Sequence, residues 1–298
     1  MQINWYPGHM AKAKRLLQEQ VARVDAVIEL CDARLPYSSR NPVLNQMLRN
    51  KARVLLLNKA DLADPAKTKQ WMAFFKQRGI ECAAVSADKN AREVLKAIER
   101  MTRERVERSA ARGMRRTVRV MVVGVPNVGK STLINRLHGG SIAKVGDRPG
   151  VTRANQWVRV GEYLELLDTP GMLWPRLDDP VAAKHLAYIS AIRDEVVDTF
   201  ALSCNLLEEL TEISPDMLEK RYHITDMTLR GQALLEAVCH GRGFLMRGGE
   251  VDLERACAVV LDEFRDGKLG RVTLEVPHET PETEESTQEE AADAQRQD

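Results

Sequence analysis

The chain has 298 residues, 44% of them hydrophobic, so it can supply a core to each of two modest domains. Its formal net charge of +1 is unevenly spread, because residues 279–298 carry −7 and the remainder therefore carries +8. No stretch approaches the roughly 18 apolar residues of a membrane span, and the first residues lack the apolar region of a secretory signal. We therefore expect a cytoplasmic protein that does not contact membranes.

Cysteine usage agrees with that compartment. The five cysteines are widely spaced and include no C-x-x-C pair, which argues against both a disulfide framework and a zinc site. They are Cys31, Cys82, Cys204, Cys239 and Cys257. We expect them to be buried, reduced thiols.

The first half of the chain alternates between helical and extended patterns. Apolar residues recur at helical spacing over residues 9–23, and short apolar runs rich in β-branched residues follow at 24–30, 52–57 and 80–85. Residues 103–119 hold seven arginines, which suits contact with phosphate backbones but equally suits a solvated helix followed by a flexible linker. Further strands are predicted at 118–123, 156–160 and 163–167. Alternating units of this kind predict a mostly parallel six-stranded sheet with helices on both faces.

After residue 180 the strand patterns fade. Helical spacing is predicted over residues 181–192, 196–210, 215–222, 229–240 and 253–264. The acidic end has no apolar periodicity and is expected to be disordered. The predicted division is an α/β domain over residues 1–178, an all-helical domain over 179–276 and an acidic tail over 277–298.

A glycine-rich phosphate-binding motif follows the strand at 118–123. Residues 124–131 read GVPNVGKS and fit G-x-x-x-x-G-K-[ST] between a strand and a helix. Backbone N–H groups of such a loop face the α- and β-phosphates, Lys130 reaches the β/γ oxygens, and Ser131 is the expected Mg²⁺ ligand. The predicted nucleotide-binding residues of the loop are Asn127, Val128, Gly129, Lys130, Ser131 and Thr132.

Two further loops complete the predicted phosphate site. Asp168-Thr-Pro-Gly171 fits D-x-x-G, in which the carboxylate holds Mg²⁺ through water and the glycine N–H contacts the γ-phosphate. Alone, the same four residues would be an ordinary turn. The polar loop at 146–153 holds Thr152, whose hydroxyl can join the Mg²⁺ shell when the γ-phosphate is present. The alternative for Thr152 is a surface threonine in a flexible loop.

A base-reading motif precedes the phosphate loop. Asn58-Lys59-Ala60-Asp61 ends the strand at 52–57, and Asp61 can accept hydrogen bonds from guanine N1–H and its N2 amine. Adenine offers an acceptor at N1 and no N2 amine, so the carboxylate would be left unpaired. Asn58 can contact the purine edge and tie neighbouring loops, and the Lys59 stem can cover the base. Ser86-Ala87 would place a backbone N–H near guanine O6.

With these motifs assembled, the chain resembles the circularly permuted P-loop GTPases, and most closely the ribosome biogenesis GTPase A (RbgA/YlqF) family. The resemblance rests on WYPGHMAKA at the start, DAR at 32–34, NKAD, GVPNVGKST, PGVT and DTPG, with NKAD about 66 residues ahead of the P-loop. It implies a GTPase that converts GTP to GDP and phosphate and acts in late assembly of the large (50S) ribosomal subunit. The motifs themselves indicate Mg²⁺ as the cofactor, and we expect a monomer. The helical domain would then contact rRNA and ribosomal proteins.

The residue that orients the attacking water is not evident from the motifs. Many GTPases orient the attacking water with a glutamine after D-x-x-G, but this chain has Met172 there, whose thioether cannot polarise water. The resembled family implicates a histidine in its N-terminal segment, which corresponds to His9. The alternative is that His9 contacts RNA or caps a helix.

Asn127 stands where potassium-activated GTPases place an asparagine ligand to K⁺. The alternative is that Asn127 only shapes the loop. A different class also stays open, a nucleotide-gated RNA-binding scaffold with little turnover. Met172 favours the scaffold, whereas Lys130, Ser131 and Asp168 favour an enzyme.

Overall fold

The computed structural model describes residues 7–40, 44, 47–48, 51–87, 89, 91–113, 117–140, 156–171 and 179–277, with only the backbone described for residues 7–14. The loop that holds Thr152, Met172 and residues 278–298 of the acidic tail lie outside the described residues, as does the side chain of His9.

A six-stranded sheet organises the first part of the chain. Its strands are β1 (Ala26–Asp32), β2 (Ala52–Asn58), β3 (Cys82–Ala84), β4 (Val118–Val123), β5 (Gln156–Val160) and β6 (Leu164–Asp168). They lie in the order β3-β2-β1-β4-β6-β5, and every pair is parallel except β5 with β6. The predicted fold class is therefore confirmed. The carboxyl ends of β1, β2, β4 and β6, from which the candidate motifs start, meet at one edge.

Helices cover both faces of this sheet. They are α1 (Pro7–Ala22), α2 (Pro65–Gln77), α3 (Ala91–Ala110) and α4 (Lys130–His138). On one face, Ile98 of α3 and Leu133 of α4 join the core. On the other, Leu17 of α1 joins one cluster and Trp71 of α2 another. Strand β1 is buried along its whole length because helices pack on both of its faces.

Helices dominate the second part. They are α5 (Pro180–Tyr188), α6 (Thr199–Ile213), α7 (Pro215–Tyr222), α8 (Gly231–Arg242) and α9 (Leu253–Arg265). Their apolar side chains, including Leu206, Leu234 and Val260, form one continuous core with a face of the sheet. The two parts are therefore packed together rather than joined only by the chain.

After α9 the chain returns to the sheet. Leu274 N donates to Arg34 O at 3.0 Å, and Val272 N donates to Leu62 O at 3.0 Å. This return was not predicted, although Val272, Leu274 and Val276 alternate with Thr273 and Glu275 at the period of an extended strand. The domain boundaries stay a prediction.

The remaining predictions concern cysteines and membranes. The thiols are free, four of them buried and Cys82 half-buried, so the expectation of burial is too strong for that one residue. Among the described residues, no helix combines the length and apolar character needed to cross a bilayer.

Candidate functional site

The P-loop lies between β4 and α4, as its sequence context predicts. Gly129 adopts φ +97°, a left-handed conformation, and a Cβ there would lie 2.5 Å from Asn58 Nδ2. Only glycine therefore lets the base-reading loop approach so closely. Asn58 Nδ2 donates to Val128 O at 2.7 Å, which bonds the two predicted motifs directly.

Asn58 also bonds a third loop. Its Oδ1 accepts from Ala87 N at 2.8 Å, while Ala60 N donates to Val85 O at 3.1 Å. Strand pairing between β2 and β3 brings these segments side by side. One buried amide thus holds together the P-loop, the NKAD loop and the Ser86-Ala87 turn, three segments predicted to form one site.

Lys130 begins α4 and is buried. Its Nζ donates to Gly124 O at 3.1 Å and to Val125 O at 2.8 Å, inside the curve of the P-loop. Burial lowers the pKa of Lys130 to about 8, and the nearby charge of Asp168 opposes that only in part. An ammonium held this way is close to where phosphate oxygens lie against a P-loop.

The two predicted Mg²⁺ residues are adjacent. Ser131 Oγ donates to Asp168 Oδ2 at 3.1 Å, and Asp168 is 1% exposed at the end of β6. A hydroxyl beside a carboxylate is a set of hard oxygen donors that suits Mg²⁺, which takes its other ligands from phosphates and water. The geometry therefore fits that ion.

Gly171 brings the D-x-x-G loop against the P-loop. A Cβ at Gly171 would lie 2.7 Å from Pro126 N and Cα, so a larger residue would push the two loops apart. Thr169 Oγ1 donates to Val122 O at 2.6 Å and fixes the start of this loop on β4.

At the base-reading end, Asp61 is held by two donors. Ser86 Oγ donates to Asp61 Oδ1 at 2.9 Å, and Lys89 Nζ lies 2.7 Å from Asp61 Oδ2. Burial raises the pKa of Asp61, but the hydrogen bonds from Lys89 and Ser86 outweigh it and hold the pKa below its usual value. The carboxylate is thus ionised and oriented as an acceptor.

Lys59 links this loop to an ion pair that the sequence motifs did not explain. Lys59 adopts φ +57°, and its Nζ lies 3.5 Å from Asp32 Oδ2. Arg34 Nη2 donates to the same Oδ2 at 2.8 Å, and Arg34 Nη1 donates to Phe264 O at the end of α9. Burial raises the pKa of Asp32, but Arg34 and Lys59 bring it to about 2. The DAR residues therefore connect the base-reading loop with the helical part.

Asn127 also contacts the helical part. It adopts φ +61°, and its Nδ2 donates to Ser190 O at 2.7 Å. This partner was not predicted. No pattern in the sequence identifies a main-chain carbonyl in the turn after α5 as a hydrogen-bond acceptor.

The comparisons with known proteins agree with this geometry. The family described as "50S ribosome-binding GTPase" matches residues 119–228. The ribosome biogenesis GTPase A of Bacillus cereus is 44% identical over 94% of this chain and 95% of its own. The chain belongs to the ribosome biogenesis GTPase A family. Its relative of that name in Priestia megaterium is also 44% identical, over 94% of this chain and 98% of its own.

A solved structure supports the same assignment to the ribosome biogenesis GTPase A family. GNP-bound YlqF from Thermotoga maritima is 28% identical, with a TM-score of 0.63 over 90% of this chain and 100% of that one. The motif order and strand order described above are thus those of a circularly permuted P-loop GTPase.

Proposed function

We propose that this protein binds and hydrolyses GTP and that the nucleotide cycle drives or checks a late step in assembly of the large (50S) ribosomal subunit. The single observation that carries the nucleotide part is the bridge made by Asn58, which joins the NKAD loop to Val128 O and Ala87 N. It brings a base-reading carboxylate and a phosphate-binding loop into one site. Membership of the ribosome biogenesis GTPase A family supports the ribosomal part.

Each site residue has a proposed role. Asp61 accepts from the guanine N1–H and N2 amine, Lys130 contacts the β/γ-phosphates, and the Gly171 N–H contacts the γ-phosphate. Ser131 would hold Mg²⁺ directly and Asp168 through water. When bound, Mg²⁺ neutralises charge on the phosphates. The proposed nucleotide contacts further include Asn58, Lys59, Ala60, Ser86, Ala87, Asn127, Val128, Gly129 and Thr132.

The groups proposed to govern turnover lie where side chains are not described. Thr152 is proposed as the switch residue and His9 as the group that orients the attacking water. A His9→Ala variant should retain nucleotide affinity and lose particle-stimulated turnover. Unchanged stimulated turnover would exclude the role.

A further proposal is that K⁺ activates hydrolysis and that Asn127 is one of its ligands. The bond from Asn127 to Ser190 O supports the alternative that Asn127 has a structural role. Equal GTPase rates in potassium and in sodium buffers would exclude K⁺ as a cofactor.

Co-sedimentation with purified 50S, 30S and 70S particles, in GDP and in a non-hydrolysable GTP analogue, tests the ribosomal proposal. We expect binding to the 50S particle only in the GTP state. Single-turnover hydrolysis with and without the particle then distinguishes an enzyme from a nucleotide-gated scaffold. The scaffold is the alternative that Met172 favours. A scaffold would bind in the same way but show no stimulated hydrolysis.

A further inference from the structure

Residues 271–275, here called the C-terminal strap, cross the loop that carries Asp61. Val272 N donates to Leu62 O at 3.0 Å and Leu274 N donates to Arg34 O at 3.0 Å. The strap therefore runs over the carboxyl ends of β1 and β2, next to the proposed guanine pocket.

Arg271 bonds the base-reading motif itself. Its Nη2 donates to Ala60 O and its Nε donates to Ala63 O, each at 3.0 Å. A planar guanidinium that donates to two carbonyls fixes their direction as well as their distance. Because the carbonyl of Ala60 belongs to the peptide unit that enters Asp61, Arg271 sets the orientation of that peptide unit.

Thr273 holds the far end of the same loop. Its Oγ1 accepts from Asp64 N at 3.1 Å and lies 3.3 Å from Ala33 O, to which it donates. Asp64 is also the N-cap of α2, where its carboxylate accepts from Ala66 N and Lys67 N. Thr273 is fully buried, so loss of its hydroxyl would leave the Asp64 N–H without that acceptor.

The strap is itself anchored to both parts of the molecule. The Glu275 carboxylate accepts from the backbone N–H groups of Tyr37 and Ser38, and it lies 2.9 Å from His185 Nδ1 in α5. Trp71 Nε1 donates to Glu275 O at 3.1 Å. A strap fixed at this end can hold the loop at the other.

We propose that Arg271 and Thr273 are positioning residues for guanine recognition: they hold residues 60–64 so that the Asp61 carboxylate faces the N1–H and N2 amine of the base. The inference rests on the proposed function, in which Asp61 reads guanine. In this proposal Arg271 acts through its bonds to Ala60 O and Ala63 O.

The test compares GDP with inosine diphosphate, which lacks the N2 amine. Arg271→Ala and Thr273→Val should each raise the Kd for GDP about 5- to 30-fold. The Kd for inosine diphosphate should rise less. Its base can donate to Asp61 only from N1–H, so a misplaced carboxylate loses one hydrogen bond instead of two. Single-turnover hydrolysis at saturating GTP should stay unchanged, and Arg271→Lys should restore part of the affinity.

Arg230→Ala is the matched control. Arg230 also donates to two carbonyls, those of Met227 and Leu229, but only within the helical part. It should leave both Kd values unchanged. Wild-type affinity for GDP in Arg271→Ala and Thr273→Val would overturn the inference, as would equal losses for GDP and inosine diphosphate. A wild-type protein that does not prefer GDP to ADP would instead overturn the proposed function, and the strap proposal with it.

Discussion

Asn127 in the P-loop donates a 2.7 Å hydrogen bond from its side-chain amide to the main-chain oxygen of Ser190, two residues after the end of α5. The loop proposed to hold phosphates is therefore bonded to the helical part of the molecule. Since Ser190 is 8% exposed, water does not readily replace this donor.

Asn127→Ala should loosen that contact. One hydrogen bond of this kind is worth about 1 kcal/mol, so amide exchange around residues 189–192 should become about 5-fold faster. Hydrogen–deuterium exchange measures this, with Asn205→Ala in α6 as the control because the Asn205 amide donates to Ala201 O of its own helix. Unchanged exchange at residues 189–192 would show that the bond does not hold the turn.

Asp61→Asn should abolish most of the preference for guanine. The amide presents an N–H₂ group or a single acceptor to two donors of the base, and loss of a charged hydrogen bond costs about 1.5–3 kcal/mol. The Kd for GDP should therefore rise about 10- to 100-fold. Isothermal titration calorimetry checks this, with the exposed Asp226→Asn as the control. An Asp61→Asn variant with wild-type affinity for GDP would exclude the proposed role of Asp61 in binding guanine.

Nucleotide affinity should fall as the pH rises above about 8. The pKa of Lys130 is lowered from 10.5 to about 8 by burial, so the free protein loses this positive charge above that pH. Phosphates favour the charged form, which means that binding above pH 8 requires uptake of a proton. The Kd for GDP should therefore rise when it is measured from pH 7 to pH 9.5. Lys130→Met should bind weakly at every pH and lack that inflection.

His185 should make the stability of the fold depend on pH. Burial alone would lower the pKa of His185, but hydrogen bonds to Glu209 and Glu275 outweigh it and raise the pKa from 6.5 to about 9. The interactions of charged His185 with the two carboxylates contribute fully below pH 6.5, and the contribution is lost as the pH rises through about 9. From that pKa difference, the contribution is at most about 3 kcal/mol.

Urea unfolding at pH 6 and at pH 9.5 measures this effect. His185→Gln should be less stable than the wild type at pH 6 and should show a smaller difference between the two pH values. His138→Gln is the control, because His138 is exposed and bonds Arg159 O. A wild-type protein equally stable at both pH values would contradict the assignment.

Much of the sheet and of the site could be predicted from sequence because their patterns are local. Strand β4 was predicted with its observed bounds, and the prediction for β2 ended one residue early. Each strand is a short apolar run, and the residue that marks its carboxyl end is Gly124 for β4 and Asn58 for β2. The P-loop glycines are fixed by backbone geometry within a few residues. Asn58 can approach Val128 because β2 and β4 lie parallel on either side of β1, so the loops that follow them leave the same edge of the sheet.

Contacts between distant residues could not be predicted in this way. Arg271 and Ala60 are 211 residues apart, and an arginine that donates to two carbonyls leaves no periodicity and needs no motif at the accepting end. The pairing of Arg34 with Asp32 was present in the sequence as DAR, but its link to Phe264 O appears only when α9 is packed in place.

The separation between the strap and the loop that it holds has a consequence for synthesis of the protein. Ala60 of the NKAD loop is translated 211 residues before Arg271. The nascent chain can therefore fold its sheet while the base-reading loop still lacks these bonds. High affinity for guanine would be acquired late, so that an incompletely translated chain would not compete for the nucleotide.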